Sequence, residues 1–310
     1  MQLYLPIAEL PVNMFMIFGM GAAVGFLSGL FGVGGGFLLT PLLVFSGIQP
    51  AVAVATVTSQ IVASSASGAL AYWRRKSIDW KLALFLLAGG VVGTVFGVLV
   101  FRLLRTIGQL DVVIGLCYVV FLGGIGMLMV VESVRFMLAQ RGATPPEPRK
   151  LRQHSWIHGL PFKVRFQRSR LYISAIPILA LGVFIGFLGT LLGIGGGFIM
   201  VPALIYLLKV PTTVVIGTSL VQILGTMAVA TVLQAYSNQS VDAVLALILM
   251  VGGVIGAQFG AQVGSRLRGE QLRALLGLLI LAVGVRFAVD LVITPQEPFS
   301  LAPLVSGAAP

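Results

Sequence analysis

The chain has 310 residues, 58% hydrophobic and 9% charged, with a formal net charge of +11. Soluble domains carry about 25% charged residues, and nine acidic side chains cannot clothe a water-soluble globule of this size. Apolar runs of about 20 residues, each able to cross roughly 30 Å of hydrocarbon, instead predict an all-α polytopic membrane protein.

The runs fall in two series. Segments are expected at roughly 12–32, 35–48, 51–73, 82–104 and 110–136, then at 171–192, 196–209, 212–236, 243–265 and 270–293. Between them, 137–170 is rich in charge and proline, including Pro145, Pro146, Glu147, Pro148, Arg149 and Lys150. It reads as an extramembrane linker. The expected division is a first repeat over 1–136, the linker over 137–170, a second repeat over 171–294 and a C-terminal tail over 295–310. The first basic residue is Arg74, so no positively charged region precedes the first apolar run and no cleavable signal peptide is expected.

The two series are copies. Gly32-Val-Gly34-Gly35-Gly36-Phe37 returns as Gly193-Ile-Gly195-Gly196-Gly197-Phe198, and Pro41 and Pro50 are answered by Pro202 and Pro211. Ser77-Ile-Asp79 matches Ser240-Val-Asp242, and Gly89-Gly90-Val-Val-Gly93 matches Gly252-Gly253-Val-Ile-Gly256. A repeat of this length marks one unit written twice.

Lys and Arg set the orientation. They crowd the linker and Arg74, Arg75 and Lys76, which places those stretches in the cytoplasm of a cell (inner or plasma) membrane. Counting spans from there puts Arg102, Arg105, the loop Ser237 to Asp242 and both termini outside. The two Ser-x-Asp loops then lie on opposite faces, which predicts inverted repeats of about five segments each. An odd number of spans per repeat inverts the second copy whether 35–48 and 196–209 cross the membrane or fold back as hairpins.

Glycine clusters are costly inside a helix, and broken helices within the membrane are tolerated only where protein or a polar cavity satisfies the backbone. Gly34, Gly35 and Gly36, with Gly195, Gly196 and Gly197, are candidates to present backbone N–H groups to an anion at the starts of two half-helices. The alternative is a tight helix crossing that has no room for side chains. No Gly-Lys-Ser/Thr follows either cluster, so neither is a nucleotide loop. The following segments are dense in hydroxyls and amides. Thr56, Gln60, Ser64 and Ser67 share one helix face, as do Thr218, Gln222 and Thr226. Thr58-Ser59 recurs as Thr218-Ser219, and an alignment on that dipeptide sets Gln60 opposite Leu220 and Gln222 opposite Val62. The candidate substrate-binding set is completed by Thr58, Ser59, Gln60, Thr218, Ser219 and Gln222. Interhelical hydrogen bonding is the alternative for each.

Other features read as structural. Gly89, Gly93 and Gly97, and Gly252, Gly256, Gly260 and Gly264, are four-residue ladders suited to close helix packing. Asp79 and Asp242 are suited to helix starts. Arg286 and Asp290 are spaced to pair. Glu132 falls near the inner end of its helix, and His154 and His158 in the linker. With Cys117 the only cysteine, no disulfide or cysteine metal site is available. Lacking a carboxylate pair, histidine or Cys/His cluster in mid-span, the chain is expected to be no enzyme, with no catalytic residues, metal or cofactor.

The doubled Gly-x-Gly-Gly-Gly-Phe, its downstream proline and the Thr-Ser of the next helix resemble the TauE/SafE family of sulfite and organosulfonate transporters. The resemblance implies a secondary transporter that exports a small anion, sulfite or an organosulfonate such as sulfoacetate, by alternating access between inverted repeats. The alternatives are an uptake permease or channel for another anion, and a membrane scaffold using the basic linker. The expected partners are the anionic substrate and the lipid bilayer, with no nucleic acid. A homodimer is compatible with the sequence.

Overall fold

The computed structural model describes residues 2–8, 10–31, 33–141, 163–166, 171–208, 210–264 and 269–292. Most of the linker, the C-terminal tail, His154, His158 and the side chains of Glu132 and Asp290 lie outside the described residues. The order is β1 (Gln2–Leu5), β2 (Leu10–Asn13), α1 (Met14–Phe31), α2 (Gly36–Phe45), α3 (Pro50–Arg74), α4 (Trp80–Ile107) and α5 (Leu110–Arg141). There follow β3 (Lys163–Phe166), β4 (Leu171–Ser174), α6 (Ala175–Leu192), α7 (Gly197–Pro202), α8 (Thr212–Leu233), α9 (Ala243–Gly264) and α10 (Gly269–Val292). Wider π turns extend α7 over Ala203–Leu207 and α8 over Gln234–Asn238.

Among the described residues, seven helices are long and apolar enough to cross a membrane: α1, α3, α4, α5, α6, α8 and α9. α2 has ten residues, about 15 Å of helix, and α7 six. Neither reaches across a bilayer, so 35–48 and 196–209 hold half-helices. Local chemistry sets the ends. Pro50 opens α3, where its missing N–H is no loss, and Gly108, with φ 75°, closes α4.

Two antiparallel hairpins, β1–β2 and β3–β4, precede α1 and α6. All-α is therefore a description of the membrane part only. The hairpins occupy matching positions ahead of their helices, and β3 falls inside the stretch expected as linker. Strands of four residues are too short to announce themselves by periodicity.

The helices pair across the two units. α1 packs on α9, α4 on α6, and α5 on α10, while α3 and α8 meet at the centre and also touch α9 and α4 respectively. The ladders explain the first two pairings. A methyl group on Gly256 would lie 2.0 Å from the Ala22 carbonyl oxygen, and one on Gly260 1.9 Å from that of Phe26. On the other pair, a methyl on Gly93 would lie 2.0 Å from the Val183 oxygen. Without a hydrophobic drive between helices in lipid, such backbone contact supplies the van der Waals attraction that joins them. The opposite faces of α4 and α5 expose Leu84, Val92, Leu99, Leu116, Val120 and Leu128, as helices facing hydrocarbon should.

Both aspartates start helices. Asp79 Oδ1 accepts from Leu82 N at 3.3 Å. Asp242 Oδ1 accepts from Val244 N and Leu245 N, each at 3.1 Å, and its Oδ2 accepts from Ile7 N at 3.0 Å. Asp242 thus ties the β1–β2 turn to the start of α9. Near the same end, Arg105 Nη1 donates to Asn238 O at 2.7 Å and Ser240 Oγ at 2.6 Å. Arg286 carries its guanidinium 5.1 Å from the centre of the Phe45 ring.

Filling a ladder position should be severe and local. Gly256→Val is expected to cost about 3 kcal/mol by overpacking. Gly19→Ala, whose added methyl meets nothing within 4 Å, should leave folding unchanged. Thermal melts of the purified variants test this.

Candidate functional site

The two glycine motifs meet each other. A methyl on Gly36 would lie 2.4 Å from Gly193 O, and one on Gly197 2.1 Å from Val33 O. The breaks themselves need left-handed backbone: Gly34, Gly35, Gly195 and Gly196 have φ of 87°, 75°, 76° and 74°, a region that side chains disfavour. Gly35 and Gly196 cap α2 and α7; their carbonyls accept from Leu38 N and Ile199 N, each at 3.1 Å, and the N–H groups before those have no acceptor further back in the helix. Gly36 and Gly197 leave no room for a side chain where the two motifs cross. Gly35 and Gly196 are also closely packed, with added methyls 2.8 Å from Val24 Cγ1 and 2.3 Å from Ile185 Cγ2.

The second break is capped from the first unit. Tyr118 donates its hydroxyl to Leu192 O at 2.8 Å, and Thr40 Oγ1 donates to Gly193 O at 3.1 Å. These satisfy carbonyls that the end of α6 leaves open. Tyr118 is held in place by stacking on Phe287, with centroids 4.7 Å apart.

Above the crossing stand two isoleucines. A methyl on Gly34 would lie 3.2 Å from Ile223 Cγ2 and 3.3 Å from Ile61 Cγ2; on Gly195 the distances are 3.1 Å to Ile61 and 3.3 Å to Ile223. Ile61 on α3 and Ile223 on α8 are thus counterparts. So are the residues before them, Gln60 and Gln222. Both side chains are fully buried and lie against matching glycines: a methyl on Gly253 would be 2.5 Å from Gln60 Nε2, and one on Gly90 2.9 Å from Gln222 Nε2. Neither Gln60 Nε2, Gln60 Oε1 nor Gln222 Oε1 has a hydrogen-bond partner. Gln222 Nε2 reaches Thr226 Oγ1 at 3.5 Å.

This corrects the register expected from the sequence. The alignment on Thr58-Ser59 and Thr218-Ser219 separates the glutamines, whereas in the structure Thr56, Gln60 and Ile61 answer to Thr218, Gln222 and Ile223. Thr56 and Thr218 do the same work in the two units. Thr56 Oγ1 accepts from Asp242 N at 3.0 Å, and Thr218 Oγ1 accepts from Asp79 N at 3.1 Å. The remaining hydroxyls turn back on their own helices: Thr58 donates to Ala55 O, Ser59 to Thr56 O and Ser219 to Ile216 O. Thr58 also meets Thr231 Oγ1 at 2.9 Å.

Of the expected set, then, the structure brings Gly34 and Gly195 against Ile61 and Ile223 and Gly36 against Ile61, and it sets Gln60 beside Gly253 on α9 and Gln222 beside Gly90 on α4. Thr218 stands one turn from Gln222 with its oxygen engaged. Ile61, Ile223, Gly90 and Gly253 were not among the residues expected. A signal for the glycines existed: they are the second members of Gly89-Gly90 and Gly252-Gly253, off the four-residue ladders.

If the Thr218 and Thr56 hydroxyls anchor helix starts, Thr218→Val and Thr56→Val each leave an aspartate N–H unpaired in an apolar interior. A loss of about 1–3 kcal/mol in stability is expected, read as a lower melting temperature with ligand affinity unchanged.

The family model described as "Sulfite exporter TauE/SafE" matches residues 17–287. The chain is 31% identical over 270 residues to the probable membrane transporter protein YjnA of Bacillus subtilis, covering 86% of this chain and 96% of that protein. It is 30% identical over 277 residues to a probable membrane transporter protein of Xylella fastidiosa, covering 88% and 94%. A 122-residue stretch, 37% of this chain, is 31% identical to 26% of Sulfite exporter TauE/SafE family protein 3 of Arabidopsis thaliana. No solved structure matches the chain. These relatives are membrane transporters rather than enzymes, and the chain, a multi-pass helical membrane protein, belongs to the TauE/SafE family of membrane transporters.

Proposed function

We propose that this protein is a secondary transporter that exports a small sulfur oxyanion or organosulfonate, and that Gln60 and Gln222 hold the substrate at the crossing of the glycine motifs. The observation that carries the reading is the pair of fully buried amides with three unpartnered atoms among them. Leaving such a group unpaired costs about 1–3 kcal/mol, a burden that a transporter has reason to keep where a ligand relieves it. The family's description, sulfite exporter, supports the substrate class and direction. In this reading the first-turn N–H groups beside Gly34, Gly35 and Gly36, and beside Gly195, Gly196 and Gly197, add positive potential from both half-helices. Thr58, Ser59, Thr218 and Ser219 then act around the site, mainly by holding the helices.

The two units are inverted repeats on this proposal. Support comes from the threonine clamps: the start of α3 lies by the start of α9, and the start of α8 by the start of α4. Counterpart helices therefore run in opposite directions, and Arg105 joins the far end of α4 to the α8–α9 loop. Alternating access follows from exchanging the roles of the two units. Because α1 is interlocked with α9 and α4 with α6, the moving bodies mix both units and are not the two halves of the sequence. The basic linker and Arg74, Arg75 and Lys76 face the cytoplasm, with the Ser237 to Asp242 loop outside.

Two measurements test this. Gln60→Leu and Gln222→Leu should fold, since an apolar side chain is cheap there. They should weaken sulfite binding in purified protein by about 1–3 kcal/mol, with transport in proteoliposomes falling in step; unchanged affinity in both would remove the amides from the site. Gly253→Ala makes its closest contact with the flexible end of Gln60, 2.5 Å from Nε2, so it should also alter affinity while folding survives. For topology, cysteines at Asn238 and Arg75 in a Cys117→Ser background should label from opposite sides of the membrane, and labelling from one side would end the inverted-repeat reading.

A further inference from the structure

We infer that, of the two substrate classes proposed above, the site prefers a sulfur oxyanion in its protonated, singly charged form, with a proton to donate, such as hydrogensulfite, over a sulfonate, and that it rejects dianions. This rests on the reading of Gln60 and Gln222 as the substrate site and adds the charge state to it.

The first argument is the charge inventory. Among the described residues, no lysine, arginine or histidine is buried; the buried charged side chains are Asp79 and Asp242. Both are acidic and both sit at the positive ends of helices, which offset their charge. Gln60 is ten residues into α3 and Arg75 follows that helix's end, about 22 Å further along the axis. Among the described residues a bound anion therefore has only neutral amides, hydroxyls and helix dipoles to stabilise it. The cost of moving an ion out of water grows as the square of its charge, so a dianion meets roughly four times the penalty of a monoanion. Dipoles that suffice for one charge fall short for two.

The second argument is the sense of the unpaired atoms. Thr226 Oγ1 donates its proton to Gln222 O at 3.0 Å or Ile223 O at 3.2 Å, so toward the amide it can only accept. That orients Gln222 with Nε2 facing Thr226 and leaves Oε1 as an unpaired acceptor. Gln60 contributes a second unpaired acceptor, Oε1, and an unpaired donor, Nε2. Turning the Gln60 amide over exchanges its ends without changing the inventory. A fully deprotonated oxyanion offers only acceptors. It would satisfy Gln60 Nε2 and press lone pairs against both amide oxygens. An oxyanion that keeps one proton satisfies a donor and an acceptor together.

The test is equilibrium binding to the full-length purified chain in nanodiscs, using sulfite, sulfate and methanesulfonate between about pH 6 and about pH 8, where sulfite loses its second proton. The apparent Kd in total sulfite should rise several-fold toward the higher pH and stay constant when expressed as hydrogensulfite. Sulfate, a dianion throughout, should not compete. Methanesulfonate, a monoanion without an acidic proton, should bind more weakly and with no pH dependence. In Gln222→Leu the preference for hydrogensulfite over methanesulfonate should collapse. Sulfite affinity that holds or tightens toward pH 8, effective competition by sulfate, or methanesulfonate following the same pH curve would overturn the inference. So would a preference that survives in folded Gln222→Leu. Failure to bind sulfite at any pH would instead take down the site assignment beneath it.

Discussion

Backbone contact between helices is what the rest of this structure depends on. In lipid, apolar side chains have no water to escape, and association rests on how closely two helices can approach. Gly252, Gly256 and Gly260 let α9 lie directly on the carbonyls of α1, and Gly89 and Gly93 let α4 lie on those of α6. Both pairings join one unit to the other. The two units are consequently threaded through each other, and the central helices α3 and α8 are enclosed by elements from both.

That enclosure gives the glycine motifs their place. Each break would expose unpaired backbone if it faced hydrocarbon. Instead the breaks are set against one another, with Gly36 beside Gly193 and Gly197 beside Val33, beneath Ile61 and Ile223. The caps are unequal. Tyr118 and Thr40 close the end of α6, yet their positions in the second unit carry no matching hydroxyls: Thr40 is answered by Val201. The duplicated motifs thus sit in environments that differ in polarity, and the two halves of the crossing need not be equally easy to open.

Among the buried groups without a partner, which include the hydroxyls of Ser28, Ser65, Thr94 and Thr190, the amides of Gln60 and Gln222 are the pair that matches between the two units. Most buried hydroxyls nearby turn back on a carbonyl one helical turn earlier, which is how membrane helices accommodate serine and threonine cheaply. A glutamine amide is too long to do so without bending toward a neighbour, and the neighbours here, Gly253 and Gly90, offer no side chain. The matching of small residue to amide in both units is a property of the site that neither helix possesses alone.

The sequence by itself determined the membrane class, the apolar segments, the duplication, the packing role of the glycine ladders and the helix-start role of Asp79 and Asp242. Each of these is written locally, in composition, in spacing along one helix or in a cap beside its own helix. The choice of partners was decided by the tertiary structure. That α1 joins α9 and α4 joins α6 depends on which ladder faces which carbonyls, and the glycines of one helix do not name the helix they will meet. The hairpins ahead of α1 and α6 were equally hidden, because strands of four residues carry too short a pattern to read. The register of α3 against α8 was the costliest gap. Matching Thr58-Ser59 to Thr218-Ser219 misplaces the helix by two residues, a rotation of about 200° at 3.6 residues per turn. That slip sends Gln60 and Gln222 to unrelated faces, and only the matching contacts of Gln60 with Gly253 and Gln222 with Gly90, and of their neighbours Ile61 and Ile223 with Gly34 and Gly195, bring them back as equivalents.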